Sequence, residues 1–254
     1  MSGAFEGLAA SYERWRPRYP SQVLDPLVAE MTTEGPDPKL LVDVGTGTGI
    51  SARLLRKVFG PEPEIVGIDS EDDMLVQARK ATPAESRISY RHGEAERLPF
   101  VGGSASLLLA AQAYQWFDRA LFLAEARRVL GARGVLAVLQ NDRDWQQGGV
   151  TAAYEEFLEA NSPGYRRHYR SFDTADELEL GGFHHPRSAE PHWVRCLEPA
   201  EFIEMALTSS KTQAAVDVIG EEAARRELRA IAGGRNTVSI PYVTRLYWAR
   251  KPEP

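Results

Sequence analysis

A chain of 254 residues with 43% hydrophobic and 26% charged residues has room for one substantial apolar interior, and its composition excludes a disordered or fibrous protein. The formal net charge of -6 offers a nucleic-acid backbone or an anionic membrane no global attraction. Cys196 is the single cysteine, so an internal disulfide and a cysteine-built metal cage are both excluded, and a reducing, cytoplasmic setting is expected.

The first residues lack the basic start and apolar run of a signal peptide, and no stretch is apolar for long enough to span a bilayer. Neither export nor a membrane span is expected. From Lys39 to about Gln140, short apolar runs alternate with amphipathic segments, the pattern of βαβ units on a parallel sheet. Strands are predicted at 39–44, 64–69, 87–92, 105–111 and 134–140. Between them, 51–59, 71–81 and 119–130 carry Leu, Val, Phe and Ala at three- and four-residue spacings, as helices docking on a sheet would. Ser70 and Asp118 are expected as N-caps, and Gly131 as the glycine just past a helix end. Beyond Gln140 the rhythm changes: a loop around 141–149, helices within 151–180, and a turn-rich lead into a strand at 181–193. Helices at 199–210 and 221–232 and a closing strand at 237–251 complete the chain.

The first strand runs into the turn "DVGTGTG", which holds Asp43, Gly45, Thr46, Gly47 and Gly49. Such a turn receives the adenosine end of a cofactor, and two cofactor classes compete for it. The dinucleotide fingerprint is G-x-G-x-x-G, with the pyrophosphate at the following helix N-terminus. Here the spacing is G-x-G-x-G, and Ile50 stands where the third dinucleotide glycine would fall. Asp43 decides more than the spacing does. A carboxylate at the strand's end repels a pyrophosphate but attracts an ammonium or sulfonium group, a difference of sign worth at most roughly 4 kcal/mol at about 4 Å and moderate screening. The charge favours S-adenosylmethionine (SAM) over NAD(P). Asp69, at the end of the second strand, suits ribose hydroxyls in either class. Glu94 can accept from an adenine amino group while a backbone N–H beside Ala95 meets the ring.

Residues 39–140 resemble a class I SAM-dependent methyltransferase of the trans-aconitate and related small-molecule group. The resemblance rests on "VDVGTGTG", "GIDSEDDML", "GEAERLPF", "AAQAYQWFD" and "EARRVLGARGVLAVLQNDRD", in the family's order, and "SYERWRPRYP" resembles the group's N-terminal lid. It implies an α/β, Rossmann-like fold whose seven-stranded, mostly parallel sheet is flanked by helices, with a helical cap and a lid. The expected organisation is a single methyltransferase domain over 1–254. Within it, 1–38 is the lid, 39–140 the SAM-binding core, 141–186 the cap and substrate region, and 187–254 the closing strands and helices.

By the same resemblance, Gly45, Gly47 and Gly49 let the backbone approach the methionine part and Asp43 neighbours its amino group. Asp69 holds the ribose, Met74 packs near the adenine, and Glu94 and Ala95 flank the adenine edge, where the group more often has aspartate in place of Glu94. Thr46 and Ser70 join these contacts. Gln112 lies beside the methionine tail, and Tyr12 and Arg16 fold over the cofactor. Some relatives carry histidine at the position of Gln115, so that base is unavailable here. The acceptor is expected among Tyr114, Gln115, Trp116, Trp145, Tyr165, His168 and Tyr169, with His168 and Tyr12 as catalytic candidates. Arg166, Arg167 and Arg170 are candidates for a substrate carboxylate.

No metal is expected. His184 and His185 diverge, and with His192 they lack a further ligand at convincing spacing; Asn141, Asp142 and Asp144 find no carboxylate on "AAQAY" to complete an oxygen site. That same stretch lacks the N/D-P-P-Y/F signature of amino-directed nucleic-acid methyltransferases. The expected activity is methyl transfer to a small-molecule acceptor, a secondary metabolite or small organic acid, by a monomer or homodimer. An NAD(P) oxidoreductase and a SAM-binding protein without catalysis are the alternatives.

Overall fold

A computed structural model describes residues 9–34, 38–168 and 172–253. Helices α1 (Ala9–Trp15) and α2 (Asp25–Glu34) lead into five strands: β1 (Leu40–Val44), β2 (Glu64–Asp69), β3 (Ile88–His92), β4 (Ala105–Ala111) and β5 (Leu130–Arg143). Between these strands lie α3 (Ile50–Phe59), α4 (Asp72–Ala81) and α5 (Arg119–Val129). Then follow α6 (Gly149–Asn161), α7 (Thr174–Leu180), β6 (His184–Ala189), β7 (His192–Leu197), α8 (Pro199–Leu207), α9 (Ser210–Ile219), α10 (Glu221–Ala232) and β8 (Val238–Arg250).

The strands order as β3-β2-β1-β4-β5-β8, with β6 and β7 both paired to β8. β6 pairs with the segment from Leu246 to Arg250 and β7 with the segment from Val238 to Val243, so the two run end to end along one edge. They fill one lateral position, interrupted at Glu190 and Pro191. The sheet is therefore seven positions wide although it counts eight strands, and only β8 against β5 and the β6/β7 edge breaks its parallel sense.

Strand parity sorts the core into two layers. Leu41 shares one face with Leu55, Ile65, Leu107 and Leu139, beneath α2, α3 and α4. Val42 and Val44 point the other way, with Ile68, Leu108 and Phe122, beneath α5 and α7. A third cluster joins α6 to α8, α9 and α10 over the first half of β8, through Tyr154, Leu158, Phe202, Leu228 and Ile240. Fully burying one such leucine contributes roughly 1.5–3 kcal/mol.

Four local expectations need correction. The turn-rich stretch after Gly181 is two strands, because β8 offers its free edge to any extended segment lying beside it. β5 starts at Leu130 and continues to Arg143, so Gly131 lies inside a strand; α5 ends on Leu130 with extended dihedrals, and the kink falls instead on Arg133 at φ 60°. Asn141, Asp142 and Arg143 are likewise strand residues, paired with Thr244, Val243 and Tyr242. Ser70 is exposed and does not cap α4, whose cap residue is Glu71. Asp118 does cap α5, accepting from the Leu121 amide at 3.1 Å.

Glu30 fastens α2 to the antiparallel edge. Its Oε1 accepts from Arg250 Nε at 2.5 Å, and its Oε2 from Arg187 Nη1 at 2.6 Å and Trp248 Nε1 at 3.3 Å. Only 6% of the residue is exposed, so the charge is held almost wholly by these donors. Replacing Glu30→Ala leaves the guanidinium of Arg250 without its counter-charge and should cost about 3 kcal/mol, read as a lowered urea midpoint with unchanged slope.

Candidate active site

Strand order reverses between β1 and β4, and the crevice at the carboxyl ends of such strands is where open α/β sheets bind ligands. The glycine turn leaves β1 at this point. Gly45 and Thr46 donate their amides to the Ile68 carbonyl at 2.8 and 2.9 Å, which ties the turn to β2. Gly45, Gly47 and Gly49 have φ of 70°, 54° and 79°, but they are glycine for different reasons. A Cβ on Gly45 would stand 2.4 Å from Ala113 Cβ, and one on Gly49 would stand 2.3 Å from Tyr90 Oη. Nothing lies within 4 Å of a Cβ placed on Gly47, so there the backbone faces open space.

Parity places Asp43 on the same face as Leu41, beneath α3. Its Oδ2 therefore accepts from Ser51 Oγ on α3 at 2.7 Å, and also from Thr46 Oγ1 at 2.5 Å. Oδ1 is buried and has no hydrogen-bond partner among the described residues. Burial pushes the carboxyl up to about 6, against the opposing pull of the Thr46 and Ser51 hydroxyls, and the nearby charge of Asp69 adds to the rise. Asp69 closes β2 and accepts from the Gly47 amide at 2.7 Å and the Glu71 amide at 2.9 Å. Burial raises this carboxyl as well, while those amides restrain it.

Beside the turn lies a cavity of about 610 Å³. Tyr12, Arg16, Gln112, Gln115, Trp116, Trp145, Tyr165 and His168 all line it. The structure thus brings eight of the expected residues to one wall, drawn from α1 and the residue after it, the exits of β4 and β5, and the segment after α6. Gln112 takes φ 57° and donates its side-chain amide to the Asn141 carbonyl at 2.5 Å, bridging β4 to β5. Gln115 Nε2 donates to the Gln112 carbonyl at 2.8 Å, and its Oε1 is buried without a partner. Arg16 donates Nη2 to the Thr208 carbonyl at 3.1 Å and lies 4.5 Å from the centre of the Tyr12 ring. Arg16 Nε is buried and unpartnered, and no carboxylate stands within ion-pair distance of this arginine among the described residues. His168 is exposed and meets Trp145 edge-on at 5.4 Å.

Other expectations separate from this wall. Tyr114 is 0% exposed and points into the layer beneath α5, where its hydroxyl donates to Glu177 Oε2 at 2.9 Å and Phe117, Phe122 and Phe172 surround its ring. It is a core residue and not an acceptor wall. Ala95 and Met74 are buried, whereas Ser70 and Glu94 are exposed at the ends of β2 and β3. Tyr169 and Arg170 lie outside the described residues. Arg166 is exposed; Arg167 lines the cavity but is paired with Glu159 at 2.5 Å and lies over Trp145.

Sequence reasoning missed the floor of the cavity. Arg143 binds Glu155 at 2.6 Å and lies 4.6 Å from the centre of the Tyr154 ring, while Tyr165 donates to Glu155 Oε2 at 2.6 Å. Burial is the largest single influence on the Arg143 guanidinium and pulls it down, but Glu155 together with Tyr154, Tyr165 and Tyr242 raises it overall. The signal was present in "QNDRD", which was weighed only for metal ligands. Among the described residues no cluster of three or more His, Cys, Asp or Glu is arranged to hold a metal ion, and no helix is long and apolar enough to cross a membrane.

Residues 42–138 match the methyltransferase domain family. An uncharacterized methyltransferase of Mycobacterium tuberculosis is 32% identical over 151 residues, 59% of this chain and 57% of that protein. The match thus spans little more than half the relative's length. A malonyl-[acyl-carrier protein] O-methyltransferase of Geobacter sulfurreducens is 31% identical over 182 residues, covering 70% of this chain and 66% of that protein. Among solved structures, a putative type II methyltransferase from Anaeromyxobacter dehalogenans superposes with a TM-score of 0.65 at 23% identity, over 94% of this chain and 99% of that one. The chain carries a methyltransferase-family domain on a class I methyltransferase fold.

The elevated proton affinity of Asp43 has a measurable consequence. Its carboxyl holds a proton more tightly folded (about 6) than unfolded (3.8), so the stability it confers is complete at low pH and lost as pH rises through the folded value. Relative to Asp43→Asn, the native chain should lose up to roughly 3 kcal/mol between about pH 4 and about pH 6.5. Urea denaturation of both proteins across that range checks it, and a constant difference would contradict it.

Proposed function

We propose that this chain transfers a methyl group from SAM to a small anionic acceptor in the cavity at the ends of β4 and β5. The observation that carries this reading is a pair of unspent buried atoms of opposite character: the acceptor Asp43 Oδ1 and the donor Arg16 Nε. A methionine tail carries an ammonium and a carboxylate, and would engage both. A pyrophosphate would engage the arginine alone and would be repelled by the aspartate. Gly47, where a Cβ would meet nothing, leaves the backbone open to such a tail. Asp69 retains lone pairs for ribose hydroxyls, Glu94 is exposed for an adenine amino group, and Met74, Ala95 and Gln112 fill the contacts between.

Bound SAM supplies an electrophilic methyl on a positively charged sulfur, a reaction in which the leaving thioether needs no acid. The chain's own contribution is alignment and exclusion of water by Tyr12, Gln115, Trp116, Trp145 and Tyr165. Charge in the cavity favours an anionic acceptor. Among the described residues, three of its four lining carboxylates already face cations, Glu155 facing Arg143 and Asp142 and Glu190 facing Arg245, while Asp144 accepts from Gln147 Nε2 at 2.6 Å. The rings of Tyr12, Tyr154, Trp145 and Trp116 lie within cation–π range of Arg16, Arg143, Arg167 and Lys211, which leaves little for an ammonium acceptor. A carboxylate acceptor is already nucleophilic at neutral pH, so the reaction proceeds without a base where Gln115 stands. His168 then shapes the wall beside Trp145 and does not carry the proton.

Two measurements test this. Arg16→Met should bind S-adenosylhomocysteine at least about tenfold more weakly by calorimetry, while loss of the Thr208 contact lowers the melting temperature by only about 2–4 °C. In a screen followed by mass spectrometry, carboxylic acids should gain a methyl group and amines should not. With the acid so found, His168→Ala should raise KM and leave kcat within about threefold, whereas loss of a general base would cost about 100-fold or more.

A further inference from the structure

Arg53, near the start of α3, reaches three elements at once. Its Nη1 donates to the Thr48 carbonyl in the glycine turn at 2.8 Å and to Thr82 Oγ1, just past α4, at 3.3 Å; its Nη2 donates to Glu13 Oε1 on α1 at 2.8 Å. Thr82 in turn is hydrogen bonded at 2.8 Å to the Tyr90 hydroxyl, the group that sits against Gly49. The ion pair is largely shielded, with 19% of the Arg53 side chain and 16% of the Glu13 side chain exposed.

Glu13 stands beside Tyr12, and the Arg16 amide closes onto the Tyr12 carbonyl at 3.0 Å, so one rigid turn carries the ion pair and both cavity residues. The other side of that turn is fastened to β7 and the end of α8: Arg195 Nη1 donates to the Trp15 carbonyl at 2.8 Å and Arg16 Nη2 to the Thr208 carbonyl at 3.1 Å. The lid is therefore held from both sides: α1 also packs against α4, and its polar tie to the glycine turn passes through Arg53. Thr48 lies between two glycines at positive φ, so the direction of its carbonyl depends on the conformation of the turn. A ligand that fixes the Gly47 backbone fixes that carbonyl, and with it the aim of the guanidinium at Glu13.

We propose that Arg53 is a positioning residue that latches the lid to the glycine turn, coupling cofactor binding to closure of Tyr12 and Arg16 over the acceptor cavity. The proposal rests on the reading of the turn as a SAM site. Coupling is reciprocal: if the cofactor favours the closed lid by some factor, the closed lid tightens the cofactor by the same factor.

Trypsin reads the lid directly, because Arg14 and Arg18 are cleavable while Arg16 is guarded by Pro17. Cleavage of the native chain, Arg53→Gln, Arg53→Lys and Glu13→Gln is followed with and without saturating S-adenosylhomocysteine, with affinity measured by calorimetry. The ligand should slow cleavage of the native lid roughly tenfold and that of Arg53→Gln only about twofold, and affinity for Arg53→Gln should fall by the matching factor of about five. Arg53→Lys keeps the charge opposite Glu13 but lacks the fork that also reaches Thr48, so it should fall between them. Glu13→Gln leaves α3 untouched and tests the pair from the lid side; because Glu13 Oε1 also accepts from Arg18 Nη2 at 2.5 Å, this variant is scored at Arg14 alone, with the same loss of protection expected. A merely structural arginine would speed cleavage equally in both states and leave the protection ratio unchanged, which would overturn the latch alone. Failure of the native chain to bind S-adenosylhomocysteine would overturn the SAM reading, and the coupling with it.

Discussion

The arrangement of the site depends on one buried charge position, the carboxyl of Asp43. It sits at the end of a central parallel strand, fully enclosed, with one oxygen engaged by Thr46 and Ser51 and the other lacking a well-formed hydrogen bond among the described residues, the Ala52 amide exerting only a minor pull. A carboxylate in such surroundings strongly disfavours a second anion and favours a cation. That preference divides the two adenosine-bearing cofactor classes for which a glycine turn is suited. It also explains why the elevated proton affinity persists: the protein supplies two hydroxyl donors and no cation, so the counter-charge must come from outside or the group must take up a proton.

From this point the chemistry spreads outward by geometry alone. β1 and β4 are neighbours across the reversal of strand order, which brings the glycine turn and Gln112 to one crevice. β5 adds Asn141 to Asp144, and antiparallel β8 adds Tyr242 and Arg245 on its far side. The helices that cover this end have their own apolar cluster, and the cavity borders it, sharing Tyr154, Tyr165, Met205 and Tyr242 with it. Arg143 and Arg245 are paired with carboxylates of the wall itself, whereas Arg16, just past α1, has no carboxylate partner among the described residues.

Much of the fold was legible because parallel strands announce themselves as apolar runs: β2 and β4 fall on the predicted 64–69 and 105–111. β6 was not legible, because its polar, largely exposed residues carry no alternation and only the free edge of β8 makes them a strand. β7 does alternate exposed with half-buried residues, but its first two residues were read as part of the turns leading into a strand. The extension of β5 through Arg143 was hidden in the same way, since "NDR" reads as a turn until its antiparallel partner is known.

At the site, sequence order revealed the residues of the glycine turn, because a turn is local. Tyr114 was misplaced: in a short helical turn its neighbours Gln115 and Trp116 face the cavity while it faces α5, a half-turn difference that aromatic character does not encode. The Arg143, Glu155 and Tyr165 cluster went unseen because its members are joined by a tertiary contact between β5 and α6.

The most direct test is a parallel calorimetric titration of the native chain with SAM, S-adenosylhomocysteine and NADPH. Saturable binding of the first two alone is the result expected if Asp43 admits a cationic tail and turns away a pyrophosphate. Binding of NADPH alone would contradict it, and would make the same glycine turn a hydride-transfer site.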